Sequence, residues 1–205
     1  MNEAVSKRQY SMQTRTKSAE ITRQKILSAV VNLWSSYAIN EISLEMVAEH
    51  SGLTMRTILR KFGSREGMLT ASIAHASEKI LHARDLAPAG NLTKALEVLL
   101  SEYEATGDAV IRTIMLQDSL PFAKSIIQGG IQIHRDWCKR VFAPYLPSLE
   151  SDSYEMELSA FVCATEIYLW KLLRRDLNKS YKQTFSIFHH TLQCLIEASH
   201  NRISK

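Results

Sequence analysis

Leu44–Phe62 reads LEMVAEHSGLTMRTILRKF, and its punctuation decides the fold. Ser43, just ahead of it, caps a helix that carries Leu44, Val47 and Ala48 on one side. Gly52 supplies the left-handed backbone position that a sharp exit requires, and Thr54 caps the next helix. That second helix offers Ile58 and Phe62 to a core and turns Arg56, Thr57, Arg60 and Lys61 outward. Gly63 closes it, and Ser64 caps a further helix. The pattern is helix, tight turn, helix, with cations along the second.

Upstream, Ile26, Val30, Leu33 and Tyr37, broadened by Leu27 and Trp34, repeat at helical spacing and predict an amphipathic helix ending near Tyr37. Residues 1–18 are polar, carry Lys7, Arg8, Arg15 and Lys17, and read as a flexible basic arm. Downstream, a helix is expected from Ser64 to about Arg84, then a break around Pro88 and Gly90. A helix is expected next over 92–105. Gly107 is expected to end it, with Asp108 capping the next segment. Ser119 and Pro121 open a long helix with Gly129–Gly130 near its centre as a site of bending or close approach. The spacings Asp152/Glu155 and Ser180/Gln183 predict capping boxes for two final helices. No stretch alternates as a strand does. The expected fold is all-α: an N-terminal helix-turn-helix three-helix domain over 19–67, then a larger helical domain over 68–205 for ligand binding and dimerisation.

Charge respects the same division. The 205 residues carry a net charge of +4, and the first 67 hold ten Lys/Arg against six Asp/Glu while the remainder is balanced at fifteen against fifteen. The whole excess belongs to the arm and the helix-turn-helix, which points to a polyanion as partner. Three dispersed cysteines, Cys138, Cys163 and Cys194, form no compact metal or redox motif and suit a reducing cytosol. No signal-peptide or membrane-spanning run is visible, so a cytoplasmic protein without a membrane partner is expected.

In a helix-turn-helix the second helix enters the major groove with its N-terminal side chains near base edges. Arg56 has the fork that matches guanine O6 and N7, and Met55 or Thr57 suits a thymine methyl. Thr54 both caps the helix and brings amides towards a phosphate. Arg60, Lys61 and Arg65 are expected on phosphates. The stretch from Ile21 to Leu69 resembles the N-terminal domain of the TetR family of bacterial transcriptional regulators: TRQKILSAVVNLW its first helix, SLEMVAEHSGLT its supporting helix and turn, MRTILRKFGSREGML its recognition helix and the start of the connecting helix. The resemblance implies a homodimer on a near-palindromic double-stranded operator, a repressor released by a small-molecule effector. By position, Ser43, Thr54 and Arg65 resemble backbone contacts, and Phe62 the aromatic that locks the recognition helix. Leu59 departs from the family's usual Tyr, and Arg56 from a frequent small residue.

In the larger domain, Tyr103, Met115, Phe122, His134, Trp137 and Trp170, with Phe142 nearby, have the composition of an apolar ligand pocket and equally of a core. Leu158, Phe161, Val162, Thr165 and Leu169, with Tyr181, Phe185, Phe188, Leu192 and Leu195, give the last two helices wide apolar sides suited to a four-helix association between two chains. His75, Glu78 and His82 share a helix side but lack a fourth ligand, and Cys163 near Glu166 has no local histidine to activate it. No metal, cofactor or catalysis is therefore expected. Two alternatives stand beside the regulator: a cytosolic helical ligand carrier or enzyme with a DNA-binding-like segment, and an architectural DNA-binding protein without ligand control.

Overall fold

The structure, a computed structural model, describes the backbone of residues 2–203 and the side chains of residues 16–199. Among these residues it is all-helical. Two compact units divide after Ala76, nine residues beyond the division that charge and composition suggest.

The first unit contains α1 (Asn2–Ser36), α2 (Leu44–Ser51), α3 (Met55–Phe62) and the opening turns of α4 (Arg65–Arg84). The stripe on α1 is used as its spacing requires: Ile26, Leu27, Val30 and Trp34 are buried together with Ile39 and Ile42 of the connection after it, Val47 of α2, Ile58 of α3, and Met68 and Leu69 of α4. Each short helix therefore gives one or two side chains to a shared core, which is how helices too short to be stable alone are held. The arm expected over 1–18 falls largely outside the described side chains; the backbone of α1 begins at Asn2.

The second unit continues α4 and adds α5 (Leu92–Ile114), α6 (Pro121–Val141), a 3-10 turn (Ala143–Tyr145), α7 (Tyr154–Thr165), α8 (Ile167–Lys171), a π-helical turn (Leu172–Asp176) and α9 (Tyr181–Ile203). Its core joins Leu96, Leu99 and Leu100 of α5, Trp137 and Val141 of α6, Leu158 and Phe161 of α7, Trp170 of α8, and Phe188 and Leu192 of α9. Ser180 and Gln183 form the expected capping box: the Ser180 amide donates to Gln183 Oε1 at 2.9 Å and the Gln183 amide to Ser180 Oγ at 3.2 Å.

Four local expectations are corrected. α5 runs unbroken through Gly107, because this glycine serves a close approach: a Cβ there would lie 2.5 Å from the Trp170 ring. Asp108, free of capping duty, holds Arg175 through two hydrogen bonds of 2.8 Å. At the next helix Asp152 caps nothing; α7 opens at Tyr154 behind Ser153 without a side-chain cap bond, and Glu155 pairs with Arg135. Around Gly129–Gly130 a Cβ would meet nothing within 4 Å, so no neighbouring element of the chain needs their small size.

The fourth correction concerns the penultimate helix, which breaks at Glu166 (φ −66°, ψ 149°). The Thr165 hydroxyl bonds back to the Phe161 carbonyl at 2.7 Å, a habit that bends helices, and Tyr103 Oη donates to the Thr165 carbonyl at 2.9 Å. Beyond the break, the π turn brings consecutive arginines to α5: Arg174 binds Glu104 through two hydrogen bonds, 2.6 and 2.8 Å, and Arg175 binds Asp108. Trp170 is locked between them, its indole N–H on Glu104 at 2.9 Å and its ring under the Arg175 guanidinium at 4.6 Å.

Gly107→Ala should therefore lower the unfolding free energy by about 1–3 kcal/mol through overpacking against Trp170, although the same change in an unhindered helix stabilises by up to about 1 kcal/mol. The sign of the urea-midpoint shift checks this. A raised midpoint would mean that the indole yields without cost.

Candidate nucleic-acid interface

The helix-turn-helix is built from local bonds. Ser43 Oγ accepts the Met46 amide at 3.2 Å at the head of α2. Gly52 takes φ 69° at its end, where its amide faces the Ala48 and Glu49 carbonyls. Leu53 N–H returns to Ala48 O at 3.1 Å, so the chain turns within three residues. Thr54 Oγ1 then accepts the Thr57 amide at 3.2 Å, and the Gly63 amide closes α3 on Leu59 O at 2.8 Å.

The candidate DNA residues divide into two groups. Arg56 and Arg60 are exposed and hold no hydrogen bond or ion pair among the described residues. Met55 and Leu59 beside them are also exposed. Thr57 is half-buried, with its hydroxyl 3.0 Å from that of Thr54. Lys61 and Arg65, by contrast, are tied into the unit. Lys61 Nζ donates to Ala19 O of α1 at 3.2 Å. Arg65 donates from Nε to Ile42 O at 2.7 Å and from Nη2 to Asn40 O at 2.8 Å and Ile39 O at 3.1 Å, so its guanidinium clamps the α1–α2 connection. One contact was not foreseeable from spacing: Arg23 lies over the Phe62 ring at 5.9 Å, a cation–π contact that the separation of 39 residues hid.

The six candidate ligand residues are not gathered into one cavity. Tyr103, His134, Trp137 and Trp170 are core residues, Phe122 is half-buried, and Met115 is 80% exposed. Three of the four core residues surround a buried polar network. Arg84 donates to Glu102 at 2.6 and 2.9 Å and to His134 Nδ1 at 3.1 Å. Arginine has no acceptor, so Nδ1 must accept, and His134 Nε2–H must donate to Thr165 Oγ1 at 3.0 Å. The Thr165 hydroxyl in turn donates a hydrogen bond to Phe161 O. The ring stacks on Trp137 at 5.7 Å.

Cys138 Sγ lies 3.6 Å from His134 Nε2, a pairing that resembles a thiol–imidazole dyad until its electrostatics are considered. Burial, reinforced by the Arg84 charge, depresses the His134 pKa to about 3, and burial pushes the Cys138 thiol up to about 12. The proton stays on sulfur, so the pair supplies neither a thiolate nor a base. Among the described residues no group of three or more His, Cys, Asp or Glu is placed to hold a metal, His75, Glu78 and His82 included. A groove of about 590 Å³, lined in part by Lys79, Ile80, Ala83, Leu86, Val98 and Tyr181, opens along α5 in this unit and includes none of the six.

Of the ten candidate dimerisation residues, Leu158, Phe161, Thr165, Phe188 and Leu192 are buried within the protomer itself. These five side chains belong to the protomer's own core, to which α7 and α9 turn much of their apolar surface. Val162, Leu169, Phe185 and Leu195 are half-buried at the edge of that core, and Tyr181 is exposed.

Among solved structures, a putative transcriptional regulator from Pseudomonas aeruginosa PAO1 matches with a TM-score of 0.65 at 11% identity, over 88% of this chain and 93% of that one. A transcriptional regulator from Rhodococcus sp. Rha1 matches with a TM-score of 0.63 at 14% identity, over 86% and 94%. A TetR-family regulator from Streptomyces coelicolor A3 matches with a TM-score of 0.50 at 14% identity, over 86% and 94%. The chain has the fold of a TetR-type regulator. No protein-family model and no curated protein matches the sequence. Among the described residues no helix is long and apolar enough to cross a membrane.

The network carries a pH signature. Because His134 ionises near 3 when folded and near 6.5 when unfolded, its burial contributes fully to stability above about pH 6.5. That contribution is lost as pH falls, since the unfolded chain gains a proton that the folded one refuses. Between neutral pH and about pH 5 the loss should reach about 2 kcal/mol. His134→Gln should flatten this slope in urea titrations; an unchanged slope would assign it to other groups.

Proposed function

We propose that this chain is a member of the TetR family and a dimeric, sequence-specific DNA-binding transcriptional regulator, a repressor released by a small-molecule ligand. The observation that carries the proposal is the state of α3. It comes after a three-residue turn, is anchored by Ile58 and Phe62, and presents Arg56 and Arg60 with no anion among the described residues paired to either. Two like charges one turn apart on a helix repel, so an external polyanion is what this arrangement lacks. The fold similarity agrees in architecture.

On an operator, Arg56 near the N-terminus of α3 addresses guanine, and Arg60 one turn later takes a phosphate. Ser43 and Thr54 place the first amides of α2 and α3 towards the backbone of the duplex. Lys61 and Arg65 support this from behind, since their donors are largely committed to carbonyls of their own unit. The effector is received by the groove along α5, whose volume is in the range of small-molecule sites, and not by the aromatic cluster of the core. Dimerisation uses what α7 and α9 leave outside. An enzymatic reading is opposed by the Cys138–His134 pair, whose proton sits in the unreactive place.

Selection of bound genomic DNA by the purified protein should return a palindrome with half-sites one or more helical turns apart. Sequence-indifferent binding would overturn the proposal. Arg56→Ala should relax preference at one symmetric base pair by about 1–3 kcal/mol, whereas Arg60→Ala should weaken all duplexes alike and lower the salt slope by about one per protomer. Sedimentation should give twice the mass of the 23.3 kDa chain; a monomer on the operator would refute the dimer.

A further inference from the structure

Met55 and Leu59 are 41% and 39% exposed on α3 and lie outside the buried core of their unit. Ile58 is the fully buried residue of this helix, and Phe62 closes its inner side. At about 100° per residue, Met55 and Leu59 share one line along the helix and Arg56 and Arg60 form a second line immediately beside it. The outer surface of α3 is thus a two-row strip, one row apolar and one row cationic.

An occupant of that strip must satisfy both rows. A protein partner that buried the apolar row would also bring two unpaired guanidinium groups against its surface and would need anions placed for each. The major groove of double-stranded DNA offers both at once, because phosphates and guanine acceptors lie within reach of the arginines and the thymine C5-methyl is the one apolar group on a base edge. We propose that Met55 and Leu59 read thymine 5-methyl groups, so that each half-site carries thymines beside the guanine bound by Arg56. The proposal rests on the DNA-binding reading above and names what its site recognises.

The geometry also limits the spacing. Four residues of α-helix rise about 6 Å, and successive bases on a strand are about 3.4 Å apart, so the two methyl groups fall within about two base steps of each other. Leu59 makes no polar contact in the unit and lies outside its buried core, and the circular-dichroism spectrum and urea midpoint of each variant separate a loss of contact from a loss of fold.

The test uses the full chain and the duplex recovered by genomic selection, with thymines replaced by deoxyuridine symmetrically in both half-sites, one position at a time. Uracil keeps the hydrogen-bond pattern and removes only the methyl. At one or two neighbouring positions the Kd should rise about fourfold per half-site, or about fifteenfold for the pair. Leu59→Ala or Met55→Ala should bind the thymine duplex more weakly and lose the distinction at its own position, while Leu59→Met should retain it. A selected duplex indifferent to uracil at every thymine overturns this proposal alone, as does undiminished uracil sensitivity in both alanine variants. Failure to select any duplex overturns it together with the reading on which it rests.

Discussion

An eight-residue helix has almost no stability of its own in water, and everything proposed for this molecule depends on how α3 is held. The chain meets that constraint from every side. Thr54 accepts an amide at the head of the helix, the Gly63 amide closes its end, Ile58 is fully buried, Phe62 lies under Arg23, and Lys61 reaches back to the Ala19 carbonyl. Arg65 fixes the α1–α2 connection through three carbonyls, so the element that precedes the helix-turn-helix is bound to the element that comes after it. The outcome is a short helix whose outer residues are free because its inner and terminal ones are fully engaged.

The larger unit meets a different constraint, a buried polar network whose members are paired with one another. The Arg84 charge is met by Glu102, the neutral ring of His134 accepts from Arg84 and donates to Thr165, and Thr165 donates along its own helix. The direction of each proton is set by arginine having no acceptor. Such a network is expensive to leave half-made, and it joins the last turn of α4, α5, α6 and the break after α7. Burial of this region, reinforced at His134 by the Arg84 charge, keeps the Cys138–His134 contact neutral and unreactive against the opposing pull of Thr165 and Arg84 on the thiol.

What the sequence disclosed and what it concealed separate by distance along the chain. Ser43, Gly52, Thr54 and the Ser180/Gln183 box were legible because a cap acts within three or four residues and the required residue type is narrow. Gly107 misled because a glycine within a helical stretch has two meanings, a stop or a close approach, and the deciding partner, Trp170, is 63 positions away. The break at Glu166 was hidden for a related reason, since the tyrosine that takes the Thr165 carbonyl comes from α5. For the aromatics, composition carried no information at all: a pocket and a core use the same residues, and only packing assigns Tyr103, His134, Trp137 and Trp170 to the core.

The charge asymmetry changes meaning in the same way. The excess of cations in the first 67 residues suggests a generally attractive surface, yet cations of this region serve different ends. Arg65 and Arg23 are spent inward on carbonyls and an aromatic ring, and Lys61, although exposed, is tied to the Ala19 carbonyl, so these cations act as cross-braces. Arg56 and Arg60 are left outward and adjacent, without an ion pair among the described residues. Steering by net charge needs only the sum, but discrimination between bases needs a fork held at a fixed position. The inward cations supply the second requirement: by bracing α3 from α1 and from the loop before α2, they determine where the outward ones stand.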